Sequence, residues 1–359
     1  MSSLSQSTIL LTIYNRYNFT KRWLDYAKEK NFKINIFICD GGKDGEFNKI
    51  IDLNTYKSLN LKYYKSKYTK DFGLMFNKFY EAVKQIKTNF IYLAEDDDFI
   101  IEKNIFKSER FLIKNKDYSS SGGLNVNLEY LLINKKKGKI FIRLPEKNLN
   151  ILRNKPVERL LDGLKFVNSN YNTLHRRESL EKILFFLKNK KYQNLYITEL
   201  VIYLYSLFNG KCKRFNHLEY LKFDNIKHSA SKNFSRDFLN KIVLNKSFSQ
   251  ENYYFLNFLN KKIIKDKNFD KFKKSYFLLL EADLKFRLKK NNKLETFIRN
   301  KIKNSFVEKF VKLIYRYYKF YNLKDYDIYY DKRNSKSLLL NDIKDISQIY
   351  EFLNDYKKF

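Results

Sequence analysis

Four strand-like runs, each closed by a polar turn and followed by a segment of helical spacing, constrain this chain more than any other feature. The runs are Ser7–Ile13, Ile34–Cys39, Leu59–Tyr64 and Phe90–Leu93. Short apolar stretches bounded by polar residues read as buried strands. Between them, Phe19–Lys30 carries Trp23, Leu24 and Ala27 at helical spacing, and a short helix is expected over Phe47–Leu53. Phe72–Lys87 places Met75, Phe79, Ala82, Val83 and Ile86 on one helical face. Strand and helix alternating in this way predict an α/β fold, a mostly parallel sheet with helices on its faces.

The fourth run ends in Glu95-Asp96-Asp97-Asp98. Open α/β sheets bind ligands at the carboxyl ends of their strands. Carboxylates crowded at such a place repel one another unless something positive neutralises them. A hard divalent cation that also carries a phosphate substrate fits, because Mg²⁺ takes one or two carboxylates together with phosphate oxygens. The bland alternative is a solvated acidic turn in which Asp98 caps a helix running from Ile100. On these four residues alone both readings stand.

Past the acids, Glu102–Lys114 reads as helix, and Leu124–Ile133 with Lys139–Leu144 as a hairpin. Pro156–Phe166 is a helix with proline in its first turn. Asn172–Leu174 reads as a short strand leading into the helix Glu178–Leu187. Ile197–Phe208 is a helix closed by Asn209-Gly210, and Lys211–Phe223 is strand-like. From about Ser235 the pattern is nearly all helical, dense in lysine and aromatics, with Ser305–Phe320 amphipathic. The division expected is a domain over 1–230 and a helical, basic C-terminal region over 231–359.

Lysine and arginine number 72 against 39 acidic residues, a formal net charge of +33. Such a surface favours phosphates, anionic lipid or acidic glycans. No nucleic-acid motif accompanies it, so nucleic acid is not the partner expected. Two cysteines, Cys39 and Cys212, are too few for a disulfide framework and read as free thiols. No run approaches the roughly 20 apolar residues of a membrane span, and residues 1–7 lack a basic leader. A cytoplasmic protein is expected, with peripheral attachment at the inner face of a membrane left open.

The order of these pieces resembles the nucleotide-binding half of glycosyltransferases of the GT-A fold, family 2, over residues 7–230. Four places carry the resemblance. Leu11-Thr12-Ile13-Tyr14-Asn15-Arg16 is similar to the family's opening strand and its Thr-x-Tyr-Asn-Arg end. Ile38-Cys39-Asp40-Gly41-Gly42 is similar to the strand whose Asp holds the base. Gly73 with Asn77 looks like the segment ahead of the metal motif, and Glu95–Asp98 looks like the Asp-x-Asp signature itself. Two later stretches agree: Asn172–Leu180, with its Arg176-Arg177-Glu178, and Ile197-Thr198-Glu199, where the family places its catalytic carboxylate.

The resemblance implies a sugar nucleotide donor, UDP-type first, with Thr12, Tyr14, Arg16, Asp40, Asn77 and Asp96 binding the nucleotide. It implies Mn²⁺ or Mg²⁺ on Asp97 and Asp98, completed by His228 if a late histidine serves. Glu199 would take the proton from the attacking hydroxyl of a glycan or lipid-linked acceptor, with inversion at the sugar. A role in bacterial capsule or lipopolysaccharide synthesis follows from the same analogy. The chain departs from the pattern where Phe76 replaces an arginine, which leaves Lys70 and Lys78 as candidates for the diphosphate. It departs again where Leu200 follows Glu199. Each residue also has a plainer reading: Glu199 as a first-turn glutamate favoured by the helix dipole, Asp40 as a turn aspartate, and His228 as a solvated histidine. The alternatives in function are a non-catalytic or nucleic-acid-binding protein that keeps the fold, or a nucleotidyltransferase with Mg²⁺ on clustered aspartates. The Asp40-Gly41-Gly42 turn, and a first loop without glycines, speak against the last.

Overall fold

The computed structural model describes residues 5–67, 75–132, 138–143, 150–165, 171–190, 192, 195–223, 246–263, 266, 268–289, 328–330 and 340–356. Strands β1 (Ser7–Ile13), β2 (Asn35–Asp40), β3 (Leu61–Lys65) and β4 (Phe90–Ala94) pair in parallel in the order β3-β2-β1-β4. Helices α1 (Tyr17–Glu29), α2 (Glu46–Ile50) and α3 (Met75–Gln85) connect them. The strand order reverses at β1, so the crevice outside β1 and β4 is the place where a doubly wound sheet takes its ligand.

The inner strands β1, β2 and β4 are largely apolar on both faces because both faces are covered, whereas the edge strand β3 is half-exposed. Ile9, Leu11 and Ile13 of β1, Ile36 and Ile38 of β2, and Tyr92 and Ala94 of β4 join one core with Trp23, Leu24 and Ala27 of α1. The alternate residues Leu10, Phe37, Cys39, Ile91 and Leu93 join the other core with Phe76, Phe79, Ala82 and Val83 of α3. Cys39 and Cys212 are free and buried, as expected of core thiols.

Beyond β4 a short strand, β5 (Phe99–Ile100), precedes α4 (Glu102–Lys114). The hairpin expected from the sequence forms as β6 (Tyr118–Leu132) and β7 (Gly138–Arg143), but β6 begins well before Leu124. Its opening Ser119-Ser120-Ser121-Gly122-Gly123 carries no apolar pattern, yet its serines are all buried. Small residues are needed there: a Cβ on Gly122 would lie 2.7 Å from Thr173 Cγ2, and one on Gly123 2.7 Å from Glu219 Cβ. β8 (Leu174–Arg176) sits antiparallel between β4 and β6, and β9 (Lys211–Phe223) pairs with both β5 and β6. Helices α5 (Pro156–Lys165), α6 (Arg177–Lys190) and α7 (Leu195–Asn209) lie between these strands in sequence.

The sequence sets a boundary at residue 230, and among the described residues the elements beyond it share both cores with those before it. Phe255, Leu259, Phe272 and Tyr276, from the helices Lys246–Lys262 and Asn268–Lys289, join the core of α3, α6 and α7. Ile346, Ile349 and Leu353, from the helix Leu340–Asp355, join the core of α1 and β1. Phe352 stands edge-on to Tyr26 at 5.4 Å and to Phe99 at 6.1 Å. In the mostly helical far region, β10 (Ile328–Tyr330) adds to β7 in parallel. The expected helix Ser305–Phe320 lies outside the described residues. Among the described residues no helix is long and apolar enough to cross a membrane.

Candidate functional site

The site begins where β1 ends. Asn15 takes a left-handed φ of 54° and turns the chain from β1 into α1. Arg16 then occupies the N-cap position but makes no side-chain cap. Its guanidinium reaches across instead to the turn after β4, donating to Asp97 Oδ2 at 2.7 Å and to Asp97 Oδ1 at 3.3 Å. It also donates to Asp96 Oδ1. Asp96 is fully buried, and Thr20 Oγ1 donates to its other oxygen at 3.2 Å. Burial pushes the Asp96 carboxyl up to about 7 against the pull of Arg16, with Asp97 and Glu95 adding to the rise.

Asp98 does not cap a helix. Its Oδ1 accepts the Phe223 backbone N–H at 2.7 Å and its Oδ2 accepts the Tyr220 hydroxyl, both from β9. Helix α4 starts later, at Glu102, behind an extended Ile101. Burial raises the Asp98 carboxyl well above the usual carboxylate range, and Glu95 and Asp97 raise it further. Beneath the turn, buried Arg22 donates to the Asp97 carbonyl at 2.6 Å and lies over the rings of Phe99 and Phe223. Burial lowers its pKa to about 10, with the aspartates opposing. Carboxylate oxygens of Glu95, Asp97 and Asp98 all lie within 4.8 Å of one another.

Glu199, in the first half of α7, comes to the same place from the other side of the crevice. Burial raises its pKa, Lys222 lowers it and Glu95 raises it. Lys222 is exposed on β9 two residues beyond Tyr220, in charge reach of Glu95, Asp98, Glu199 and Asp97, and Glu95 does most to strengthen its hold on its proton. Tyr171 closes the group, hydrogen-bonded to Thr12 of β1 and near Glu95 and Glu199; burial raises its pKa first, then Glu95.

At the end of β2, Asp40 is fully buried and surrounded by donors. Gly42 N donates to it at 2.7 Å, Tyr63 OH at 2.9 Å, Tyr17 OH at 3.3 Å and Lys65 Nζ at 3.4 Å. The close approach that calls for glycine at 42 is made by the chain itself: a Cβ there would meet the Tyr17 hydroxyl, and Asn15 Oδ1 at 2.6 Å. Asn15 Oδ1 in turn accepts Lys43 N at 2.9 Å, so the β1 and β2 turns are one interlocked unit.

The structure therefore brings Thr12, Arg16, Asp96, Asp97, Asp98 and Glu199 into one crevice, with Asp40 at the neighbouring strand end. Tyr14 is 37% exposed beside them. Asn77, near the start of α3, keeps a buried Oδ1 with no hydrogen-bond partner among the described residues. Lys78 lies below the floor, packed against Gly41 and donating to Ile13 O at 3.1 Å, with burial lowering its pKa. His228 and Lys70 lie outside the described residues. Arg176 is structural: it donates to Leu112 O, Asn115 O and Tyr118 O at 2.6–2.8 Å, tying β8 to the end of α4. Sequence reasoning assigned no individual role to Glu95, Lys222, Tyr171, Thr20 or Tyr220. Only Glu95, inside the acid run, carried a signal that could have singled it out.

No family model matches the chain, and no curated protein matches it. The chain is similar in fold to S. aureus TarS and to a mannosyltransferase. S. aureus TarS 1-349 in complex with UDP-GlcNAc aligns at 12% identity and a TM-score of 0.44, over 74% of each chain. Against the longer S. aureus TarS the identity is 13% and the TM-score 0.42, and the alignment spans 44% of that chain. Mannosyltransferase PcManGT from Pyrobaculum calidifontis, in complex with GDP-Man and Mn2+, aligns at 12% identity and a TM-score of 0.32 over 51% of this chain and 47% of its own.

Proposed function

We propose that the protein is a metal-dependent glycosyltransferase that moves a sugar from a nucleoside diphosphate to an acceptor hydroxyl. The observation that carries this reading is the cluster of Glu95, Asp97 and Asp98 after β4, beside the point where the strand order reverses, with Glu199 in charge reach of Glu95. Three hard carboxylate donors suit Mg²⁺ or Mn²⁺. A divalent cation held by Asp97 with Glu95 or Asp98 would stabilise the charge that builds on the departing diphosphate.

The chain's own groups divide the remaining work. Asp40 and the buried acceptor of Asn77 would read the nucleotide, Asp40 by exchanging one of its present donors for a base N–H. Thr12 and Tyr14 flank the same opening. Glu199, half-buried, is the base that takes the acceptor proton, and its raised pKa suits a general base working near neutral pH. Inversion at the sugar is what the resemblance to family 2 implies. The net charge of +33 favours an anionic acceptor, such as an acidic glycan or a lipid-linked sugar phosphate.

Calorimetric titration of the purified chain with UDP, GDP and CMP, each with and without Mn²⁺, tests the reading. One nucleotide should bind in a metal-dependent way, and Asp97→Ala should abolish that binding. Failure of every nucleotide in both conditions would leave a binding protein on the same fold.

A further inference from the structure

Asp97 presents the carboxylate best placed to take a cation, and both of its oxygens are already engaged by Arg16. The same guanidinium spans to Asp96. The pair is accessible rather than sealed: the Arg16 side chain is 25% exposed and that of Asp97 10%. At its own helix end Arg16 makes no side-chain cap, and its guanidinium lies over the Phe19 ring at 5.7 Å. Asp98, by contrast, is fixed by two donors from β9 and cannot turn without breaking them.

We propose that Arg16 is a resident cation on the metal seat, and that it and a divalent ion exclude one another on Asp97. The inference rests on the metal reading above. A fork of two N–H donors matches a carboxylate or a phosphate equally well. An Arg16 released from Asp97 therefore stands at the start of α1 as a ready partner for the donor's diphosphate. Metal and nucleotide then favour each other's binding, because each supplies what the exchange of Arg16 requires. The Asp96 carboxylate keeps Thr20 through the change and anchors the turn.

The test is Mn²⁺ binding without nucleotide, followed by electron paramagnetic resonance, on wild type, Arg16→Gln and Arg16→Lys. Arg16→Gln should bind the free ion roughly tenfold or more tightly than wild type, since a charge-assisted hydrogen-bonded pair no longer competes. Lysine keeps the charge but cannot span both aspartates, so Arg16→Lys should show a smaller gain. UDP should tighten Mn²⁺ binding more in wild type than in Arg16→Gln. Equal Mn²⁺ affinity in Arg16→Gln and wild type, with nucleotide-dependent Mn²⁺ binding intact in both, would overturn the exchange and leave the metal reading standing. A gain in Arg16→Gln with none in Arg16→Lys would also overturn it, pointing to long-range charge alone. Absence of Mn²⁺ binding in every protein, with and without UDP, would overturn both.

Discussion

The Asp98 carboxylate accepts the backbone N–H of Phe223 at 2.7 Å, across 125 positions of chain. The turn after β4 is thereby bolted to the last residue of β9, and Tyr220 supplies the second bolt. Asp98→Ala leaves two buried donors without partners, at a cost of about 1–3 kcal/mol each. Its melting temperature should drop by several degrees before any ligand is added, as read by circular dichroism. An unchanged midpoint would mean that the turn is held by Arg16 and Arg22 alone.

Glu199 meets the acid turn through charge, in reach of Lys222 on β9 and of Glu95. Glu199→Gln should keep the wild-type melting temperature and nucleotide affinity, and lose transfer by about 10²–10⁴-fold, the range of a removed general base. Turnover of donor and acceptor, measured beside nucleotide binding on one preparation, separates the two. Loss of binding together with turnover would make Glu199 part of the donor seat instead.

Gly42 has no room for a methyl group between Tyr17 and Asn15. Gly42→Ala should cost roughly 1–3 kcal/mol as the β1 and β2 turns separate, and should weaken nucleotide binding because Asp40 loses its N–H donor. Chemical denaturation gives the first quantity and calorimetry the second. Full stability would show that the Tyr17 ring moves aside freely.

Burial raises the Asp96 carboxyl from its ordinary value of 3.8 to about 7, and raises Glu95, Asp98 and Glu199 as well. Between those two values for Asp96, the folded chain holds a proton that the unfolded chain has released. Stability from this group is full below about 4 and is lost as pH rises through about 7. In EDTA at constant ionic strength, the melting temperature should fall between about pH 4 and pH 7. A flat or rising profile would mean that Arg16 and Lys222 keep these carboxylates ionised throughout.

Much of the sheet was legible because each of its first strands is apolar along its length and stops at a polar turn, as Leu93 and Ala94 give way to Glu95. The acid run stood out in a basic chain, and the spacing of Thr198-Glu199 ahead of Gly210 pointed to α7. Lys222 could not be found that way, since it is one among 72 basic residues. Tyr171 and Tyr220 were equally hidden among 29 tyrosines. The first half of β6 was missed because serine and glycine carry no alternation. The docking of the helix Leu340–Asp355 was missed because an apolar stripe says that a helix packs and not where.

That helix has a consequence for how the chain is made. Tyr356 donates to Asp25 at 2.9 Å across 331 positions, and Phe352 covers the rings of Tyr26 and Phe99. At translation speeds of about 5–20 residues per second, the first sheet leaves the ribosome on the order of ten seconds or more before its cover exists. During that interval the face of α1 is bare, and the nascent chain is a client for chaperones that shield aromatic surface. A polypeptide stopped at residue 230 would live permanently in that exposed condition.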